Sequence, residues 1–403
     1  MRRLYLNLIH QHFVKYQQMA FLCGPRQVGK TTIAQQCSGF SPYYKYLNWD
    51  DLYHREEILL GFDAICRGLP LEAPLKKHKP VIIFDELHKY KNWKSLLKGF
   101  IDRYKGRLHI LVTGSARLDV YRKGGDSLVG RYFLYRAHPL TVGELLRVEL
   151  NKKLMADPAE MSKEKFYSLF EFGGFPEPFL QQDKAFSLQW QRLRRQQILQ
   201  EDIRALANIQ EISQLEMLTH ILQNQASQQL VYSNLGNHIR VADNTIRRWI
   251  SILESFYYCF TLKPWCKNIT RSLIKEPKIY LWDWSIIEDK GQRVENFIAG
   301  HLLKAVQYWT DVGFGEFELY FLRNKDKQEV DFLLVKNNKP WLMVEAKASY
   351  KEQLSSSLKK FQSQVKADHV LQVAFDMPYE PIDCFKLKGP SIVPAITFLS
   401  QLP

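Results

Sequence analysis

A chain of 403 residues exceeds what one ordinary hydrophobic core serves, so length alone predicts two or three domains. With 46% hydrophobic and 24% charged residues and no low-complexity run or internal repeat, the composition excludes a disordered chain and a solenoid. The formal charge of +14 favours polyanionic partners, nucleic acid first among them, with a solubilising surface or acidic protein partners as the plain alternative.

The N-terminus, Met1-Arg2-Arg3-Leu4-Tyr5, has neither the apolar region nor the small-residue cleavage site of a signal peptide, and no stretch reaches the apolar length of a membrane span. The expectation is a cytoplasmic protein without a membrane partner. Its six cysteines (Cys23, Cys37, Cys66, Cys259, Cys266, Cys384) form no CxxC pair, which predicts reduced, packed thiols rather than a zinc knuckle or a disulfide framework.

Over residues 1–140, short apolar runs alternate with helical patterns, as in a parallel sheet with crossover helices. Strands are expected at 19–22, 43–47, 81–84, 109–113 and 132–136. Between the first strand and a helix over 31–36 stands Gly24-Pro25-Arg26-Gln27-Val28-Gly29-Lys30-Thr31. Its glycines let successive backbone N–H groups turn inward around phosphate oxygens, and the helix start adds its positive dipole end. Lys30 is expected on the β- and γ-phosphates of ATP, Thr31 on Mg²⁺ and Thr32 near the α-phosphate.

The strand Val81-Ile82-Ile83-Phe84 ends in Asp85-Glu86, where Asp85 is expected to hold the Mg²⁺ shell and Glu86 to orient and polarise the attacking water. Ser115, in Thr113-Gly114-Ser115, is placed to sense the γ-phosphate or to cap a helix. Arg131 reads either as an arginine finger or nucleotide sensor, in its own chain or a neighbour's, or as half of a structural salt bridge.

Residues 141–210 read as a helical lid or linker, broken at Gly173-Gly174-Phe175-Pro176-Glu177-Pro178, and carry Trp190 with the basic cluster Arg192, Arg194 and Arg195. Residues 211–288 give three helices and then two β-rich stretches, 256–262 and 278–282, the layout of a winged helix. Within it, a short helix capped by Ser233 and a second helix from Asp243 form a helix-turn-helix. Asn244, Thr245, Arg247 and Arg248 face outward there, and Ile246, Ile250 and Leu253 face the core. DNA contact and a lid or packing role are both open for this module.

Residues 289–403 form an α/β unit with an amphipathic helix over 293–306, strands at 318–322, 330–335 and 341–346, and a helix near 354–365. Glu329-Val330-Asp331 on one strand and Glu345-Ala346-Lys347 on the next look like the PD-(D/E)XK nuclease signature, with Glu295 on the preceding helix. In that likeness Asp331 and Glu345 bind the metal while Lys347 steadies hydroxide or phosphate. A three-residue turn, Asn337-Asn338-Lys339, would pair Asp331 with Glu345 on one hairpin face. Alternating charge on a half-exposed strand gives the same pattern, so cutting stays open.

Nearly the entire chain resembles a prokaryotic family of AAA-type P-loop ATPases whose C-terminal half carries the domain of unknown function numbered 4143. The segments that carry the likeness are GPRQVGKTT, YLNWDD, VIIFDELHK, LVTGSARL, LVGRYFLYRAHPLTVGEL, GGFPEP, EVDFLLV and VEAKAS. The fold class expected is therefore α/β, with an N-terminal P-loop NTPase parallel sheet, a helical linker, a winged helix and a C-terminal α/β restriction-endonuclease-like domain. The leading functional expectation is an ATPase using ATP and Mg²⁺ that couples hydrolysis to domain rearrangement on nucleic acid, DNA by preference, with a homo-oligomer allowed. An ATP-gated, Mg²⁺-dependent nuclease and a nucleotide-dependent signalling switch with protein partners are the alternatives.

Overall fold

Val81-Ile82-Ile83-Phe84 has no polar side chain, which suits a strand buried on both faces, and it heads the strands that organise the N-terminal part of the chain. A computed structural model describes residues 1–71, 78–114, 128–203, 211–266, 276–350 and 353–403, without the side chain of residue 202. The chain forms two compact units, Met1–His138 with Arg147–Leu150, and Pro139–Leu146 with Asn151–Pro403.

In the first unit β1 (Met19–Cys23), β2 (Tyr44–Asn48), β3 (Val81–Asp85), β4 (His109–Gly114) and β5 (Tyr132–Arg136) make one parallel sheet in the order β2-β3-β4-β1-β5. All five strands lie where the apolar runs put them, within a residue or so at each end. Phe21, Phe84, Trp93, Leu97 and Phe100 fill one face of the sheet. Because β4 lies between β1 and β3, the C-terminal ends of all three stand side by side, with Cys23 opposite Gly114 and Asp85 opposite Thr113. Crevices at such strand ends are where open α/β sheets bind ligands.

After the short helix Val142–Leu146, the second unit continues with helices Lys163–Phe172, Pro176–Gln181 and Lys184–Gln196. The break between the first two falls at Gly173, whose φ of +80° favours glycine, and Gly174, where a Cβ would stand 2.6 Å from the Leu140 carbonyl oxygen. Helices Ile212–Asn224, Tyr232–Ile239 and Asp243–Ser255 follow, then the antiparallel pair β6 (Cys259–Leu262) and β7 (Lys278–Leu281). The helix expected to be capped by Ser233 instead starts at Tyr232 after an uncapped Val231, so Ser233 sits inside its first turn. Gly236 allows the sharp turn into the next helix: a Cβ there would lie 2.7 Å from the Val241 carbonyl oxygen.

The long helix Lys290–Asp311 then precedes a five-stranded sheet of order β12-β11-β10-β9-β8. β8 (Phe317–Arg323), β9 (Glu329–Lys336) and β10 (Lys339–Lys347) run as an antiparallel meander, and β11 (His369–Ala374) and β12 (Ser391–Pro394) add in parallel. Helix Ser356–Val365 covers one face through Leu358 and Phe361, packed with Val330, Leu333 and Met343. On the long helix, the buried Lys304 ammonium is 2.5 Å from Glu144 and 2.8 Å from Thr141, fixing the Thr141-Val142-Gly143-Glu144 segment within this unit.

The β9–β10 hairpin departs from the expected turn. Asn337 and Asn338 both have positive φ (48° and 63°) and make a two-residue turn that pairs Lys336 with Lys339. That register would miss the Asp331–Glu345 pairing by one residue. A bulge between Pro340 and Leu342 inserts Trp341 and shifts the ladder, so that Phe332 faces Val344 and the next step brings Asp331 opposite Glu345.

Candidate active site

Gly24 to Gly29 form the turn between β1 and helix Lys30–Gln36. Gly24 has to be glycine, because a Cβ would come within 2.4 Å of the Ala137 carbonyl oxygen on the chain leaving β5. Gln27 (φ +61°) and Gly29 (φ +94°) take left-handed backbone, which turns consecutive N–H groups to the concave side of the loop. Pro25 and Val28 are buried, Arg26 half-buried and Gln27 exposed. Lys30 is buried and donates to the Gly24 and Pro25 carbonyl oxygens at 2.9 and 2.7 Å, spanning its own loop. Burial pulls the Lys30 ammonium below its usual pKa, with Glu86 and Asp85 opposing the shift.

Asp85 closes the other side. It is 2% exposed and accepts three hydroxyl donors: Thr31 on Oδ2 at 2.8 Å, Tyr46 on Oδ2 at 2.6 Å, and Thr113 on Oδ1. The P-loop helix, β2 and β4 thus converge on one carboxylate. Burial and the Asp85 carboxylate push the Tyr46 phenol well above its ordinary pKa, so it stays a neutral donor. Glu86 takes a left-handed backbone (φ +55°), which turns it away from the strand direction, and its N–H donates to the Thr113 carbonyl oxygen at 3.1 Å. The Glu86 carboxylate lies 3.6 Å from His88 Nε2 and 3.4 Å from Lys89 Nζ. Thr32, like Thr31, is exposed on the first helical turn.

Two expected residues remain, Ser115 and Arg131. Ser115 lies outside the described residues. Arg131 precedes β5, at the end of the sheet away from the loop, since Tyr132 pairs with Met19 while Arg136 pairs with Cys23. At roughly 3.3 Å per residue the intervening strand separates it from the loop by about 15 Å, which rules out a sensor role in its own chain. It makes a two-pronged bridge to Asp102, at 2.8 and 3.0 Å, and the salt-bridge reading describes what is seen.

The second unit gathers a different cluster. Lys278 on β7, 4% exposed, places its ammonium 2.8 Å from Glu295, 2.5 Å from Glu329 and 3.5 Å from Asp331. Tyr280 donates to the same Glu295 oxygen at 2.8 Å, and Arg323 bonds the second oxygen of Glu329 at 2.9 Å. Asp331 Oδ2 accepts the Ala346 N–H at 2.9 Å, and Lys347 Nζ donates to Glu345 Oε1 at 2.7 Å. Burial, then the Asp331 charge, pushes Glu295 up to about 8 and Glu345 up to about 7. Glu295, Asp331, Glu345 and Lys347 are therefore neighbours, and an ammonium sits among their carboxylates.

Residues 16–146 match the family described as AAA domain. The N-terminal unit is an AAA-type P-loop domain. Beyond it, residues 163–289 match one domain of unknown function (DUF8612) and residues 290–384 another (DUF4143). An uncharacterised protein of Methanocaldococcus jannaschii is 24% identical over 365 residues, 86% of this chain and 79% of that protein. An uncharacterised protein of Mycobacterium tuberculosis is 24% identical over 322 residues, 75% of this chain and 67% of that one. Among solved structures, AMPPCP-bound DnaA from Aquifex aeolicus aligns over 62% of this chain and 87% of its own at 14% identity, with a TM-score of 0.30. Among the described residues no helix is long and apolar enough to cross a membrane.

Several AAA-domain contacts escape motif reading. Tyr46 lies inside the YLNWDD segment and Thr113 two residues before Ser115, both next to residues the sequence singles out. Arg3 is 3% exposed and donates to the Val28 carbonyl oxygen in the loop at 2.5 Å and to the His138 carbonyl oxygen at 2.6 Å. A basic N-terminal dipeptide carries no signal that one arginine is a buried brace for the loop. Lys278 has a signal only in retrospect: with Tyr280 it occupies one face of a strand whose positions are all buried.

Proposed function

We propose that the AAA domain binds ATP with Mg²⁺ and hydrolyses it, and that the second unit carries this cycle to nucleic acid. The observation that carries the first part is the buried Asp85 tied to Thr31 across the phosphate loop. The loop N–H groups cradle phosphate oxygens. Lys30, released from the Gly24 and Pro25 carbonyls, reaches the β- and γ-phosphates, whose charge offsets the burial that depresses its pKa. Thr31 and Asp85 have the hard oxygen donors that suit Mg²⁺, which when bound would supply positive charge to offset that of the phosphates. Glu86, turned out of the strand, accepts a hydrogen bond from the attacking water and orients it at the γ-phosphate.

The test is steady-state phosphate release. Glu86→Gln is expected to lower turnover by roughly 10²–10⁴-fold while ATP affinity stays near that of the wild type. Turnover unchanged in this variant would remove Glu86 from the reaction.

The nucleic-acid part rests on the charge of +14 and on helix Asp243–Ser255. That helix buries Ile246, Trp249, Ile250 and Leu253 and leaves Asn244, Arg247 and Arg248 exposed. Arg247 lies over the Tyr232 ring at 3.8 Å, which holds it along the outer face. With the β6–β7 pair behind it, this is the order of a winged helix, and the exposed residues occupy the turn that such helices lay into a groove. Arg247→Ala with Arg248→Ala is expected to weaken DNA binding at low salt at least tenfold, read by fluorescence anisotropy. Wild-type protein that binds neither DNA nor RNA, with ATP turnover unmoved by either, would set this part aside and leave the ATPase reading standing.

A further inference from the structure

The nuclease-like pattern implies a divalent ion held by Asp331 and Glu345, and the residues around those carboxylates do not fit one. We infer that the Lys278 ammonium occupies the cation position of this cluster, making it a metal-free ionic joint between the β6–β7 hairpin and the C-terminal sheet.

Three observations carry this. An ammonium has three N–H donors, and Lys278 meets three carboxylates from two elements, Glu295 on the long helix and Glu329 and Asp331 on β9. Mg²⁺ would need about six oxygens, several of them water, close to the same point, and the two cations exclude one another by charge and by space. The backbone that carries Lys278 is held on both edges. β7 pairs with β6 on one edge, and on the other the 227–230 segment bonds to Pro277 and Ile279 on either side of Lys278.

Two of the oxygens that a metal would use are also engaged. Asp331 Oδ2 is taken by the Ala346 N–H, and Glu345 Oε1 by Lys347, whose ammonium is thereby turned back on its own strand. Glu345 Oε2 alone is buried without a hydrogen-bond partner among these groups.

Charge closes without a metal. The carboxylates Glu295, Glu329, Asp331 and Glu345 face the cations Lys278, Arg323 and Lys347. One retained proton balances the set, and Glu295 is the group that burial and Asp331 dispose to keep it. Among the described residues no group of three or more His, Cys, Asp and Glu is arranged to hold a metal ion. The consequence is a unit that keeps a nuclease-like strand pattern for cohesion and does not cut.

The inference is independent of the ATPase and nucleic-acid readings, and its test uses neither. Full-length protein without nucleotide is titrated with Mn²⁺, and free Mn²⁺ is followed by electron paramagnetic resonance in the wild type, Asp331→Asn, Lys278→Gln and the double variant. The expected result is no difference between wild type and Asp331→Asn, and a Mn²⁺ site gained in Lys278→Gln that disappears in the double variant. Mn²⁺ uptake by the wild type that Asp331→Asn abolishes would overturn the inference. So would a Lys278→Gln protein that folds, by its circular dichroism melt, and gains no site. Should Lys278→Gln not fold, the comparison of wild type with Asp331→Asn decides alone.

Discussion

Asp85 in the AAA domain and the Asp331 cluster in the second unit begin from the same ingredients, a carboxylate on a buried strand with others nearby, and are met by different kinds of donor. Around Asp85 the donors are the hydroxyls of Thr31, Tyr46 and Thr113, all neutral. A hydroxyl exchanges a carboxylate for a metal-bound water at little cost, because no charge has to leave with it. Around Asp331, Glu295 and Glu329 the shared cation is the ammonium of Lys278, beside Tyr280, Arg323 and the Ala346 N–H, and a metal can enter only by expelling a buried charge. Carboxylate spacing alone does not specify a metal site. The donors already bonded to those carboxylates decide it.

The comparison breaks most visibly if Lys278 is dispensable. Lys278→Ala leaves Glu295, Glu329 and Asp331 facing one another in a buried site, and breaking such a pair from one side costs about 3–5 kcal/mol. The measurement is urea unfolding, followed by hydrogen exchange of peptides from β7, β9 and β10. Loss of protection there, with the five strands of the AAA domain unaffected, is the expected outcome. A variant as stable as the wild type would mean that the ammonium contributes nothing the carboxylates need.

At the AAA site the corresponding probe is Tyr46→Phe, which removes one neutral donor from Asp85 and leaves the ring in place. A hydrogen bond to a charged group contributes about 1.5–3 kcal/mol, so the nucleotide-free AAA domain is expected to melt earlier by that order. With ATP and Mg²⁺ the difference is expected to narrow, since Asp85 then has another partner. A deficit equally large with and without nucleotide would show that the hydroxyl is structural and is never exchanged.

Sequence legibility follows the same division. The five strands of the AAA domain and its loop were readable because each is local: an apolar run, a turn that demands glycine, a helix start. Tyr46 and Thr113 were not singled out because their role depends on sheet order, which places β2 and β4 on either side of β3. In the second unit the Asp331–Glu345 pairing was anticipated through a three-residue turn, whereas the chain achieves it with a two-residue turn and a bulge at Trp341. Register follows from burying one strand face, and two local routes satisfy it. β11, β12 and the terminal helix Ala395–Ser400 are not placed by the sequence, since parallel strands carry no hairpin signal to announce them. Lys278 stands 17 residues from Glu295 and further still from Asp331, and no spacing rule joins them.

The pH dependence discriminates most finely, because it asks whether the cluster holds a proton where a metal would have displaced it. Burial and the Asp331 charge hold Glu295 up to about 8, against an ordinary value of 4.5, while Lys278 and Tyr280 pull the other way by bonding its carboxylate. Between those two pH values the folded unit binds more protons than the unfolded chain, so this contribution is complete below about 4.5 and is lost as pH rises through about 8. The slope is at most about 1.4 kcal/mol per pH unit. Glu345, pushed up to about 7, adds a second portion of the same sign. Urea unfolding of the second unit from pH 5 to 9 is expected to show stability falling with pH, and Glu295→Gln to flatten part of that fall. A divalent ion at the site would hold Glu295 ionised and abolish the slope, so a wild-type profile that is flat without Mn²⁺ and equally flat with it would contradict the retained proton. A slope that is present and insensitive to added Mn²⁺ instead ties the proton to the same cause as the ammonium: a carboxylate cluster neutralised from within.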